Sequence, residues 1–145
     1  MLADTNKDRP MTAHPLPIEL TMLACAIALV IVQIVLQASA QLPFVSLGFL
    51  MGPRDQPAVI DNKYVGRVNR ALHNMLATFP IFAAAVLGVV VAGRTNAATA
   101  HGAELYVWAR ALYVPVYILG IPVLRTLIWL ASILAIVWLL EPLFA

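Results

Sequence analysis

The sequence predicts an all-α membrane protein, a bundle of four transmembrane helices in up-down order. Three observations predict it. Of 145 residues, 62% are hydrophobic and only 11% are charged, against about 45–50% and about 25% in soluble domains. The charges are also confined: no formally charged residue lies between Leu20 and Pro53, and none between Ala71 and Gly93. Finally, four long apolar stretches are separated by Pro, Gly and Arg. Each approaches the roughly 20 helical residues that cross a hydrocarbon core of about 30 Å.

The same numbers exclude other classes. So apolar a chain would expose large sticky patches in water. A net charge of +2 with no basic run offers nothing to a nucleic acid. The one cysteine, Cys25, can make no intrachain disulfide and no Cys-based metal motif; inside an apolar run it reads as a small buried hydrophobe. His14, His73 and His101 lack metal-ligand spacing, so no metal is expected. There is no Gly-rich phosphate loop and no nucleophile elbow.

The elements follow in order. Residues 1–18 are polar, and Pro10, Pro15 and Pro17 discourage helix, giving an N-terminal tail before a membrane domain at 19–145. The first span covers about 20–40, with Glu19 at its start. Lys7, Arg9 and the small residues Ala38-Ser39-Ala40 imitate a signal peptide, but the apolar run exceeds the usual roughly 7–15 residues. Residues 41–66 form a long loop punctuated by Gly48, Gly52, Pro53 and Pro57, with Arg54-Asp55 at its polar centre. The second span covers 67–93; Pro80 inside it is tolerable in a membrane and predicts a kink. Arg94-Thr95-Asn96 turns the chain into a third span at 98–120, interrupted by Glu104 and Arg110. Gly120-Ile121-Pro122 ends it, and a fourth span runs 122–141. Short connections make the last three helices antiparallel neighbours. Nothing repeats internally. Five basic residues (Arg54, Lys63, Arg67, Arg70, Arg125) flank the loop side against three (Lys7, Arg9, Arg94) on the other, so the positive-inside rule places loop 41–66 in the cytoplasm.

Arg110 stands about ten residues from Gly120, roughly 15 Å down the helix. An arginine there costs about 2.5–3.5 kcal/mol on insertion scales and marks a functional site or a structural pair. Glu104, six positions away, is on the opposite side of the helix, which leaves only an interhelical pairing open. Arg110, Tyr113 and Tyr117 share one stripe by i, i+3, i+7 spacing; Arg67, Arg70 and Asn74 repeat it on the second span. Facing each other, with Arg125 opening the fourth span at the same level, they predict a cationic cleft for a small carboxylate-bearing ligand. For Arg67 and Arg70 alone, snorkelling to lipid phosphates explains as much.

The segments GRVNRALHNMLATFPIF and ARALYVPVYILGIPVLRTLIW resemble the MAPEG family, the membrane-associated proteins of eicosanoid and glutathione metabolism. Its second-helix signature is approximately E-R-x-x-R-A-x-x-N-x-x-E-x-x-P. The loop sequence LGFLMGPRDQP is similar to a bacterial branch of the family, and the resemblance covers about residues 19–140. It implies a homotrimer of four-helix protomers in a bacterial inner membrane, with glutathione bound between subunits near the cytosolic side. Arg67, Arg70, Asn74, Arg110, Tyr113 and Tyr117 would then bind glutathione, and Arg125 would be catalytic at its sulfur. The implied activity is that of a glutathione transferase or peroxidase on lipophilic electrophiles. Gly66 and Ala77 stand where the signature has glutamates, and Thr78 stands where some members have an aromatic. The Ala77 departure keeps open a non-catalytic subunit of a larger membrane complex, or a trimer that binds another anionic thiol or an anionic lipid.

Overall fold

The computed structural model describes residues 16–53 and 60–144. The expectations placed on most of the polar tail (Lys7, Arg9, Pro10, His14 and Pro15), and on Arg54-Asp55 and Pro57, lie outside the described residues.

Four long helices and one short one make up the described chain: α1 (Ile18–Gln41), α2 (Leu47–Met51), α3 (Lys63–Val91), α4 (Ala97–Leu119) and α5 (Pro122–Phe144). Local chemistry sets their ends. Pro17 precedes α1 and its carbonyl accepts from the amides of Leu20 and Thr21, while Glu19 suits the positive end of the helix dipole. Asn62 caps α3 by accepting from the amides of Tyr64 and Val65. Asn96 and Thr99 form a reciprocal capping box on α4. Gly120, at φ 80°, closes α4 in the left-handed region that a side chain would resist, and Pro122 opens α5 at a position needing no amide hydrogen. The segment read as one long loop carries more structure than expected. A 3-10 turn at Leu42–Phe44 and the five-residue α2 occupy its first part, and α3 begins four residues before Arg67. Helix α3 is continuous through Pro80.

Cross-helix contacts give the directions. Arg67 meets Ile118, Asn74 meets Arg110 and Thr78 meets Tyr106, so α3 and α4 are antiparallel. Gln41 meets Asn69 at one end of the bundle and Glu19 meets Thr99 at the other, so α1 runs against α3 and along α4. A Cβ on Gly102 would stand 3.1 Å from the carbonyl oxygen of Ala135 and 3.4 Å from the amide nitrogen of Leu139, bringing α4 and α5 nearly backbone to backbone. Helices α3 and α4 each touch the other three long helices, while α1 and α5 share no contact among the described residues.

The core lies between these helices, towards the end where α1 begins. Leu23 and Ala26 of α1, Phe82, Val86 and Val89 of α3, Ala103 and Tyr106 of α4 and Ala135 and Leu139 of α5 are buried there. Phe82 stacks on Tyr106 with ring centroids 3.9 Å apart and planes 10° from parallel, and the Tyr106 hydroxyl hydrogen-bonds Thr78 Oγ1 at 3.1 Å, so this buried tyrosine keeps its polar end satisfied. The outside is apolar as well: Ile31, Val32, Val35, Leu127, Leu134 and Val137 are all more than half exposed. Three segments, Ile18–Phe44, Lys63–Val91 and Pro122–Phe144, are long and apolar enough to cross a membrane. A lipid bilayer covers such surfaces at no cost. Cys25 is exposed on this outer face rather than buried, because it falls off the Leu23–Ala26–Gln33 stripe that turns inward.

Candidate functional site

Arg110 is the largest fully buried side chain, 1% exposed. Its Nη1 donates to Asn74 Oδ1 at 2.6 Å, and its guanidinium carbon lies 5.5 Å from the ring centroids of both Tyr106 and Tyr113. Its Nε and Nη2 have no partner among the described residues. The interhelical partner is thus a neutral amide flanked by two aromatic faces. Glu104 is not involved; it meets His101 Nδ1 at 3.3 Å on the outside of α4. A guanidinium held this way uses only part of its donor fork.

Next to Arg110 the bundle opens. A cavity of about 190 Å³ is lined by Asn74 of α3, Tyr113 and Tyr117 of α4, and Arg125, Thr126 and Trp129 of α5. A broader one of about 540 Å³ is lined by Asn69, Arg70, His73, Asn74 and Tyr117. Asn74 and Tyr117 form the wall common to both. Tyr117 is fixed from three sides: its hydroxyl accepts from Arg70 Nε at 3.3 Å, its ring is 5.4 Å from that of Tyr113, and the Arg125 guanidinium lies 4.9 Å from its centroid. The lining is rich in hydrogen-bond donors and positive charge. Neither cavity is lined by a carboxylate among the described residues.

The structure therefore brings together Arg70, Asn74, Tyr113, Tyr117 and Arg125, with Arg110 directly behind Asn74. Arg67 is placed differently and lines neither cavity. Its Nη1 donates to the carbonyl of Ile118 at 2.8 Å, satisfying one of the orphan acceptors at the end of α4. The guanidinium fits where a Cβ on Gly120 would come within 2.5 Å of it. Several lining residues were missed from sequence. Asn69 and His73 are one turn apart beside Arg70 and Asn74, and Thr126 and Trp129 follow Arg125 at one and four positions; helical spacing from the arginines already singled out would have found them. Gln33 was missed too. It is 3% exposed inside α1, and neither amide atom has a partner among the described residues.

At the opposite end of the bundle a second polar group is built otherwise. Glu19, 2% exposed, accepts a hydrogen bond from Thr99 Oγ1, and Thr99 is locked to Asn96 by the capping box. Arg94 Nη1 donates to the carbonyl of Pro142 at 2.8 Å nearby. No group of three or more His, Cys, Asp or Glu residues that could hold a metal occurs among the described residues.

A bundle of apolar helices around a polar cleft defines an integral membrane protein, and the comparison with known families is specific about which kind. The MAPEG family pattern matches residues 18–141, so the chain belongs to the MAPEG family, whose members are membrane helical bundles associated with glutathione use. No curated protein matches the chain.

Proposed function

We propose that this protein is a glutathione-dependent membrane transferase or peroxidase acting on lipophilic electrophiles. The observation that carries the reading is the cleft itself: Asn74, Tyr113, Tyr117 and Arg125 line a cavity backed by the buried Arg110, with donors and positive charge throughout. Arg70, Asn74, Tyr113 and Tyr117 hold the peptide's carboxylates and carbonyls. Arg110 acts through Asn74, whose amide it orients. Arg125, on the α5 side beside Trp129, is the catalytic residue.

The chemistry asks little more of the chain. A free thiol has a pKa of about 8.5, and its thiolate is the nucleophile. Arg125 stabilises that thiolate and lowers its pKa. In a transfer, the thiol proton goes to solvent, the sulfur bonds the electrophilic carbon, and the leaving group departs with the displaced electron pair. In a peroxidase turnover, the sulfur takes the terminal oxygen of a lipid hydroperoxide, the O–O bond breaks and the alcohol leaves with a proton. A second glutathione then releases water and forms the disulfide. The electrophile reaches the sulfur from the bilayer, past the exposed α5 residues.

The assembly that fits this reading is a homotrimer in a bacterial inner membrane, with α4 as a fourth span and the 41–66 side in the cytoplasm. The open side of the broader cavity, where Arg70 and His73 are exposed, is where a neighbouring subunit would close the site. Ala77 supports a second reading, a non-catalytic subunit of a larger complex or an anionic-lipid-binding trimer, because no acid among the described residues stands on the cleft wall to receive the amine of glutathione. Calorimetry of glutathione binding to the detergent-purified protein, with thiolate absorbance followed in parallel, separates the two. Micromolar binding with a thiolate signal is expected. No binding at millimolar glutathione sinks the enzyme reading, and co-purification in fixed stoichiometry with another membrane protein would then favour the second.

A further inference from the structure

We infer that the cleft selects an anionic thiol whose amine is blocked or absent, in preference to one carrying a free ammonium. This deepens the proposed function and rests on its placing a thiol ligand in the cleft. Nine described residues line the two cavities, Asn74 and Tyr117 being common to both: Asn74, Tyr113, Tyr117, Arg125, Thr126 and Trp129 on one side, and Asn69, Arg70 and His73 on the other. These described residues contribute guanidinium, imidazole, amide, hydroxyl and indole groups, and no carboxylate is among them. Arg110 adds a further positive charge immediately behind Asn74, with two nitrogens still unpartnered. A carboxylate-bearing ligand is matched everywhere in this lining. An ammonium finds only neutral acceptors and aromatic faces there, no described negative charge to pair with, and repulsion from every formal charge it meets.

The remaining described acids are too far away to change this. Glu19 is committed to Thr99 and Glu104 to His101, both towards the start of α4, and Glu141 adjoins Pro142, which meets Arg94 at that same end. A neighbouring copy related by an axis along the bilayer normal keeps each residue at its own depth, so these acids stay at the wrong level in any such oligomer as well. Asp61 is on the cleft side but lies ahead of α3, whose first residue, Lys63, is already seven residues, about 10 Å of helix axis, from Arg70. One position on the wall is suited to an acid and lacks it. Ala77 is exposed and follows Arg70, His73 and Asn74 by seven, four and three residues, which puts it on the same face one turn deeper.

The test compares reduced glutathione with N-acetylglutathione, its blocked-amine analogue, by calorimetry on the full-length protein in detergent. On the unaltered protein the acetylated thiol is expected to bind at least tenfold tighter, about 1.4 kcal/mol. Ala77→Glu should reverse the preference by tightening glutathione and weakening the analogue. Glutathione binding as tightly as the analogue, or more tightly, on the unaltered protein overturns the inference while leaving the thiol-binding reading intact. Binding of neither thiol overturns both. The ligand pair needs no variant, so a misfolded Ala77→Glu protein leaves the primary comparison decisive.

Discussion

The two ends of the bundle bury charge in opposite ways. Where α1 begins, Glu19 is buried against the Thr99 hydroxyl, Thr99 is fixed by Asn96, and Arg94 is spent on a backbone carbonyl. Around Arg110 the charge is buried, among the described residues, with one amide partner, two nitrogens left without one and more cations nearby. A buried charge lacking full compensation costs several kcal/mol, so a fold keeps it only where something else supplies the difference. The first end is satisfied within the chain and reads as a clasp. The second is unfinished and reads as a binding site.

Four variants break or sharpen that contrast. The largest effect is expected from the double variant Arg110→Ala, Arg125→Ala. Its kcat/KM for glutathione conjugation should fall at least a hundredfold, about 2.7 kcal/mol, and a steady-state assay returning full activity would sink the enzyme reading. Glu19→Ala should act on stability instead, costing about 1–3 kcal/mol through the lost buried hydrogen bond. Its melting temperature should drop while glutathione affinity stays put, and a large affinity loss would mean the two ends are not independent. Arg110→Met should do the reverse. Replacing an undercompensated buried cation with an apolar chain is often neutral or stabilising, so its melting temperature should hold or rise while binding weakens about tenfold. A sharp fall in melting temperature would show the guanidinium to be structural. The smallest effect belongs to Gly120→Ala, which puts a Cβ at positive φ against the Arg67 guanidinium. About 1 kcal/mol of stability should go, with binding changed less than twofold if Arg67 serves only the end of α4.

Much of the binding end was legible because it is written locally. Arg110, Tyr113 and Tyr117 follow one helical face, as do Arg70 and Asn74, and the cross-helix contacts Arg70–Tyr117 and Arg110–Asn74 set the two faces together. The clasp was not legible. Glu19 and Thr99 are 80 residues apart, and nothing in a sequence says which hydroxyl a first-turn glutamate will find across a bundle. Arg67 was misplaced for a related reason: it shares the stripe, but the end of α4 comes within its reach and its carbonyls outbid the cavity. His73 was read only for metal-ligand spacing, yet it is next to Asn74 and the broad opening takes in such neighbours of the stripe. Gln33 was hidden by its company, since one amide barely disturbs the hydropathy of α1.

Gly102 bears on how the chain enters a membrane during synthesis. Helix α4 is the one long helix outside the three that are apolar enough to cross unaided. Arg110 opposes its partitioning by about 2.5–3.5 kcal/mol at mid-membrane on insertion scales, and Glu104 adds a second charge nearer its start. Because Gly102 lets α5 close down on α4 until little but backbone separates them, the very apolar α5 can carry its neighbour in. With α4 as the proposed fourth span, the α4–α5 hairpin, rather than the single helix, is the unit expected to enter lipid.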